Sequence, residues 1–113
     1  MIVEDEALIA FSLEDAFAEE GYHVTGPFPS CADALASLAN SRPDLAVLDA
    51  ALSDGSCLEL ARELRRQKVP FLIYSGADGV EENAPELEGV LWLEKPAPSA
   101  DVVRAAAQLL TQG

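Results

Sequence analysis

Histidine and cysteine are scarce in this chain of 113 residues, which has one histidine, His23, and two cysteines, Cys31 and Cys57. The cysteines lie far apart and lack the close Cys/His spacing of a zinc site or the density of a disulfide framework. The chain also lacks an apolar run long enough to cross a membrane, and it lacks a basic segment followed by an apolar one. These absences predict a reducing, cytoplasmic setting, without a membrane partner.

Basic residues are also few, because 7 Lys and Arg stand against 20 Asp and Glu, for a net charge of −13. A surface of this sign repels phosphate backbones, so direct binding to nucleic acid is not expected. No effector sequence follows the segment 99–113, so we expect no output domain in this chain, and residues 1–113 are predicted to form one domain. Whether this domain stands alone or is excised from a longer protein stays open at this point.

Half of the residues are hydrophobic, and strand-like and helix-like patterns alternate along the chain. This alternation predicts an α/β domain with a parallel sheet. The predicted strands are Met1–Glu4, His23–Pro27, Leu45–Asp49, Pro70–Ser75 and Gly89–Leu93. The predicted helices are Glu6–Glu20, Ser30–Asn40, Gly55–Lys68 and Ser99–Thr111, with a weak segment, Val80–Leu87, expected to be a short or mobile helix.

Polar residues stand where four of the predicted strands end. Asp49 directly follows the apolar run Ala46–Leu48, and it could be either a helix-capping aspartate or a reactive carboxylate. Glu4 ends the first strand and Asp5 follows it, Ser75 ends the fourth, and Lys95 comes shortly after the fifth. The carboxyl ends of parallel strands meet at one edge of the sheet, so these side chains are predicted to share a pocket.

The predicted pocket suits phosphoryl transfer. Three carboxylates cannot all remain charged and unpaired at low cost, and Mg²⁺ is the hard cation that suits a few carboxylates and several waters. Lys95 adds an ammonium and Ser75 adds a hydroxyl donor. Together with a carboxylate nucleophile, these groups can neutralise charge on a transferring phosphoryl group.

Four short motifs stand in order at these strand ends: Val3-Glu4-Asp5-Glu6, Leu48-Asp49, Ser75-Gly76 and Lys95-Pro96. With them, the chain resembles the response-regulator receiver domains of two-component signalling over nearly its whole length. The resemblance implies a flavodoxin-like, doubly wound sheet of five parallel strands in the order 2-1-3-4-5.

The resemblance also implies a role for each matching residue. Asp49 would accept a phosphoryl group from a phosphohistidine of a kinase or a phosphotransfer protein. Glu4, Asp5, Asp49 and the backbone carbonyl of Ala51 would hold Mg²⁺. Ser75 and Lys95 would contact the phosphoryl group.

Activity beyond phosphorylation and dephosphorylation of the chain itself is not expected from a receiver domain. Phosphorylation would switch an interaction surface and could promote homodimerisation. The downstream target stays open at this point.

The chain departs from the family pattern outside the phosphorylation residues. Trp92 stands at the position of a switch aromatic that is usually Tyr or Phe. Ser53 and Cys57 replace a common proline and a common glycine, and the segment between Ser75 and Lys95 is short. Near the pocket, the first helix carries the run Ala7–Phe11, which is too apolar to be buried on one face.

Three other functions compete with the receiver interpretation. A flavin-binding electron carrier of the same fold would need a phosphate-binding loop, which Glu4-Asp5-Glu6 would repel. A metal-dependent phosphatase with an aspartyl nucleophile usually has a second Asp at the position of Ala51. The third alternative is a degenerate receiver that acts as a constitutive protein-interaction module.

Overall fold

A computed structural model of the chain describes residues 1–49, 57–76 and 85–112. In these ranges the strands are β1 (Ile2–Val3), β2 (Ala46–Leu48), β3 (Phe71–Ser75) and β4 (Leu91–Glu94). The α-helices are α1 (Ala7–Glu19), α2 (Cys31–Leu38), α3 (Cys57–Arg66) and α4 (Ser99–Gln112), with a 3-10 helix at Pro85–Leu87. The predicted alternation of strands and helices is confirmed.

The four strands form one parallel sheet in the order β1-β2-β3-β4. Helices α2 and α3 pack on one face, where Leu38 and Leu64 belong to a core with Leu48 and Ile73. Helices α1 and α4 pack on the other face, in a second core around Leu72. Strands covered on both faces need continuous apolar runs, and β1, β2 and β3 are buried along their whole lengths. The predicted α/β, doubly wound fold is therefore confirmed.

The predicted strand His23–Pro27 is wrong as a strand. This segment lies beside β1 on the side away from β2, as the predicted order requires, but Val3 and Phe28 form only an isolated parallel bridge. The backbone of Ile2 donates to Thr25 and accepts from Phe28. Regular pairing fails because Pro27 has no N–H and Gly26 has a φ of +98°, far from extended backbone.

Gly26 also lies in close contact with neighbouring backbone. A Cβ placed on it would lie 2.9 Å from both the carbonyl oxygen of Ile2 and the nitrogen of Phe28. Both the left-handed φ and the lack of space favour glycine at this position. A glycine in a strand-like pattern was thus the sign of a departure from regular pairing.

Helix α1 leaves part of its apolar surface uncovered, as the run Ala7–Phe11 predicted. Ala10 is buried, whereas Leu8 is 83% exposed and Phe11 is 61% exposed. Both exposed side chains belong to the first turns of α1, directly after the acidic residues Glu4 to Glu6.

Arginines of α3 attach the segment that contains the 3-10 helix. Arg62 pairs with Glu86 at 2.8 Å, and Arg65 donates to the carbonyl oxygens of Glu86 and Glu88. The 3-10 helix is the described part of the predicted weak segment, whose other residues, 80–84, lie outside the described ranges. A single 3-10 turn fits the short helix expected there.

Among the described residues, which include all seven Lys and Arg, six of these side chains contact oxygens of the chain itself. Besides Glu86 and Glu88, the acceptors include the carbonyl oxygens of Gln67 and Lys68 and the carboxylates of Glu63 and Asp101. The six donors are Arg42, Arg62, Arg65, Arg66, Lys95 and Arg104.

In the described ranges, no helix is both long and apolar enough to cross a membrane.

Candidate phosphorylation site

The predicted pocket forms at the carboxyl edge of the sheet. Glu4 follows β1, Asp49 follows β2, Ser75 ends β3 and Lys95 follows β4. The sheet hydrogen bonding extends to this edge, because the Asp49 N–H donates to the carbonyl oxygen of Val3 at 2.9 Å. Glu4, Asp49 and Ser75 are also the buried polar and charged residues of the described chain.

Three carboxylates come close enough together to hold a metal ion. Glu4, Asp5 and Asp49 each offer one oxygen, and these oxygens lie within 4.8 Å of one another. Glu4 and Asp49 are buried, whereas Asp5 is exposed. A set of carboxylate oxygens at the edge of solvent fits a hard divalent cation that keeps some of its water. The fourth predicted ligand, Ala51, lies outside the described residues.

Lys95 contacts two of the three clustered carboxylates and also approaches Glu6. Its Nζ lies 2.8 Å from Glu4 Oε1, 3.1 Å from Asp49 Oδ2 and 3.6 Å from Glu6 Oε2. The side chain is 14% exposed, so the ammonium is screened from bulk water and its contacts with carboxylates raise the pKa of Lys95. A charged lysine directed at Asp49 is available to an anion bound there.

Ser75 meets Asp49 from the neighbouring strand. Its Oγ donates to Asp49 Oδ1 at 3.1 Å, so the two oxygens of Asp49 have different partners, Ser75 on one and Lys95 on the other. Both partners are donors, which stabilises a charged carboxylate. The predicted grouping of Asp49, Ser75 and Lys95 is present.

Burial changes the acid–base behaviour of Glu4. The pKa of this carboxyl is raised to about 7, mainly by desolvation and to a smaller extent by the hydrogen bond and charge of Asp49. The Lys95 ammonium and the Glu6 N–H, which donates to Glu4 Oε2 at 3.1 Å, oppose the increase. Glu4 therefore gains or loses a proton near neutral pH.

The sequence did not predict two of the contacts that Lys95 makes. Glu6 was assigned to the first helix, yet its carboxylate approaches the Lys95 ammonium. Tyr74 lies under Lys95, with Nζ 5.7 Å from the ring centroid. A phenol directly before Ser75, in a strand whose other preceding residues are apolar, was the signal that could have identified Tyr74.

Trp92 lies on β4 opposite Ile73, away from the cluster of charged groups. It is half-buried and packs against the core that contains Leu87. Ser53 lies outside the described residues, as does the side chain of Cys57, so the structure does not test the predictions for the loop after Asp49.

A cavity of about 510 Å³ lies away from the candidate site, with Met1, Phe17, Arg42 and Leu110 among its lining residues. It opens beside the start of β2, whereas Asp49 follows the end of that strand. None of the predicted site residues that the structure describes lines this cavity, so the chemistry is assigned to the carboxylate cluster.

Comparison with known families is consistent with this geometry. The model of the response regulator receiver domain matches residues 1–107. The chain belongs to this family. Receiver domains are the phosphorylated modules of two-component systems.

Individual relatives agree with the family assignment. The chain is 31% identical over 114 residues to the probable transcriptional regulatory protein TcrX of Mycobacterium tuberculosis, covering 97% of this chain and 48% of that protein. Among solved structures, it is similar to a response regulator receiver protein from Sinorhizobium medicae, with 27% identity, a TM-score of 0.85, and coverage of 97% and 91%. The receiver domain of NtrX from Brucella abortus has 25% identity, a TM-score of 0.83, and coverage of 99% and 98%.

The extent of these matches differs between the two kinds of relative. The chain spans about half the length of TcrX but nearly the whole of the solved receiver domains. The likeness therefore concerns the receiver part of the longer regulator.

Proposed function

We propose that residues 1–113 form one receiver domain that accepts a phosphoryl group on Asp49 from a phosphohistidine. The observation that carries this proposal is the pair of donors on Asp49, with Ser75 Oγ at one carboxylate oxygen and Lys95 Nζ at the other, both at 3.1 Å. A buried carboxylate between a hydroxyl and an ammonium is arranged to become an acyl phosphate whose charge is neutralised locally.

In the proposed reaction, an oxygen of Asp49 attacks the phosphorus atom of the donor. A P–O bond forms while the bond from phosphorus to the imidazole nitrogen breaks, and the nitrogen leaves with that electron pair. No oxidation or reduction is involved. Lys95 would donate to an oxygen of the incoming phosphoryl group, and Ser75 would turn its hydroxyl towards another.

Glu4, Asp5 and Asp49 would hold Mg²⁺, with the Ala51 carbonyl as a further ligand suggested by the family pattern. When bound, the cation supplies positive charge at the oxygens of the transferring group. The close approach of the three carboxylates within 4.8 Å supports this assignment.

The partner of the proposed reaction is a histidine kinase or a histidine phosphotransfer protein, in the cytoplasm. The output would be a change in protein interaction, including homodimerisation, rather than direct binding to nucleic acid, given the net charge of −13. A degenerate receiver that only binds other proteins is the alternative, and the complete set of Asp49, Ser75 and Lys95 argues against it.

The test is incubation with acetyl phosphate and Mg²⁺, followed by intact mass measurement. We expect a single phosphoryl adduct on the wild type, absent from Asp49→Asn and abolished by a chelator. Asp44→Asn changes an exposed aspartate just before β2 and should leave the adduct intact. An adduct that persists in Asp49→Asn would refute the assignment of Asp49, and a wild type that takes up no phosphoryl group would favour the degenerate receiver.

A further inference from the structure

Tyr74 connects the end of β3 to the loop that carries Lys95. The residue is 4% exposed, and its hydroxyl makes two hydrogen bonds with the backbone of Ala97. It donates to the carbonyl oxygen at 3.0 Å and accepts from the N–H at 3.0 Å. One side-chain oxygen therefore satisfies both backbone groups of a residue 23 positions away.

The loop after Lys95 has few other ways to be held. Pro96 and Pro98 have no N–H, so Ala97 supplies the one backbone donor of the segment 96–98. The N–H of Lys95 donates to the carbonyl oxygen of Ser75 at 3.0 Å. Tyr74 and Ser75, the last two residues of β3, thus fix the chain on both sides of Pro96.

The ring of Tyr74 contributes a second contact. The Lys95 ammonium lies 5.7 Å from the ring centroid, within the range of a cation–π interaction. The same ammonium contacts Asp49 and Glu4. Tyr74 therefore supports Lys95 through the backbone of its loop and through the ring beneath its charged end.

We propose that Tyr74 is the positioning residue for Lys95, holding the ammonium in place for the phosphoryl group. This inference rests on the proposed function of Asp49 and Lys95. Tyr74 acts through Lys95, and its hydroxyl is engaged with Ala97. Without that hydroxyl, the loop would sample more conformations, and the ammonium would spend less time at the transferring group.

The first test replaces Tyr74 with Phe, which keeps the ring and removes the oxygen. We expect phosphorylation by acetyl phosphate to become about tenfold slower, because two backbone groups of the Lys95 loop lose their partner. Tyr22→Phe is the matched control, since Tyr22 is half-buried and stacks edge-on against Phe17, away from the site. It should leave the rate unchanged. Circular dichroism and melting curves are recorded for both variants.

A double-mutant cycle separates positioning from a general structural role. In a Lys95→Met background the ammonium is gone, so adding Tyr74→Phe should alter the rate less than about twofold. A merely structural tyrosine would slow both backgrounds equally, and that result would overturn the proposal. So would a wild-type rate in Tyr74→Phe.

Ala97→Gly provides a second variant, which removes one half-buried methyl group at the edge of the core. It keeps Tyr74 and both backbone groups of Ala97 but increases the freedom of the loop. We expect Ala97→Gly to slow phosphorylation, again only when Lys95 is present. If Tyr74→Phe does not fold, an unchanged rate in a folded Ala97→Gly protein would count against the proposal. A wild type that is not phosphorylated on Asp49 would refute the proposed function itself, a different result from either of these.

Discussion

The ammonium of Lys95 lies 2.8 Å from Glu4 Oε1, and both side chains are largely withdrawn from solvent. Lys95 also contacts Asp49, so one positive charge faces two buried carboxylates. Burial raises the pKa of Glu4 to about 7, because the contact with Lys95 only partly offsets the desolvation of the carboxylate and the nearby Asp49 adds to the increase. The acid–base state of the site is therefore linked to the stability of the fold.

The stability of the metal-free protein should fall as pH rises from about 4.5 to about 7. The unfolded chain ionises Glu4 near its ordinary pKa of 4.5, whereas the folded chain keeps this carboxyl protonated up to about 7. The unfolded state thus releases its proton first and is favoured increasingly across this window. Urea unfolding in the presence of a chelator at several pH values would measure the effect.

Glu4→Gln should reduce that pH dependence and, above pH 7, raise the stability of the metal-free protein by on the order of 2 kcal/mol. The same change should weaken Mg²⁺ binding, because it removes one carboxylate of the cluster. Calorimetric Mg²⁺ titration and urea unfolding would measure the two effects, with exposed Glu20→Gln as control. A Glu4→Gln protein that keeps the wild-type pH profile would contradict the assignment.

Phosphorylation should change the emission of Trp92, the single tryptophan of the chain. A phosphoryl group adds roughly −1.5 to −2 charges at Asp49, and Ser75 is expected to move towards it. Trp92 pairs with Ile73 on β3, two residues before Ser75, and is half-buried. Emission should shift with Mg²⁺ and a stable phosphoryl mimic and stay constant in Asp49→Asn. Full phosphorylation by mass with unchanged emission would mean that Trp92 is a static core residue.

The exposed apolar surface of α1 should contact the phosphodonor protein. Leu8 is 83% exposed beside the acidic cluster, and a few apolar anchors carry most of the energy of such interfaces. Leu8→Asp should slow phosphotransfer from the cognate kinase at least about tenfold, while phosphorylation by acetyl phosphate is unchanged. Leu110→Asp, at 36% exposure near the far end of α4, is the matched control. Equal rates for Leu8→Asp and wild type would contradict a docking role.

Gly26→Ala should destabilise the fold much more than Gly21→Ala. Both glycines have a positive φ, +98° and +88°, but a Cβ at Gly26 would meet backbone atoms of Ile2 and Phe28, whereas one at Gly21 meets nothing within 4 Å. We expect losses of about 3 and about 1 kcal/mol, respectively. Thermal and urea unfolding would measure both. Similar losses would show that the strained φ, and not the close approach, decides the cost.

The positions of Asp49, Ser75 and Lys95 were predictable because each depends on a local pattern. An apolar run that ends in a polar residue marks a strand end, and parallel strands bring their ends to one edge. The grouping of the three side chains follows from that rule, whereas the order of the strands was implied by the resemblance to receiver domains.

Contacts between segments far apart in the chain were harder to predict from the sequence. The pattern of His23–Pro27 is strand-like, and only the approach of the Gly26 backbone to Ile2 explains why regular pairing does not form. Tyr74 looks like an ordinary core aromatic, since its hydrogen-bond partner is Ala97, which carries no polar side chain. Hydrogen bonds of this kind depend on tertiary packing, which cannot be predicted from the local periodicity of the sequence.

Six of the seven basic side chains contact oxygens of the chain itself, and the charge that remains affects the rate of association with partners. These contacts leave the net charge at −13, so the long-range potential of the chain is strongly negative. A partner with a basic docking face would be steered towards this potential over distances of about a Debye length, about 10 Å at 0.1 M salt. Association should therefore slow steeply with ionic strength, while dissociation, governed by short-range apolar contacts, changes little.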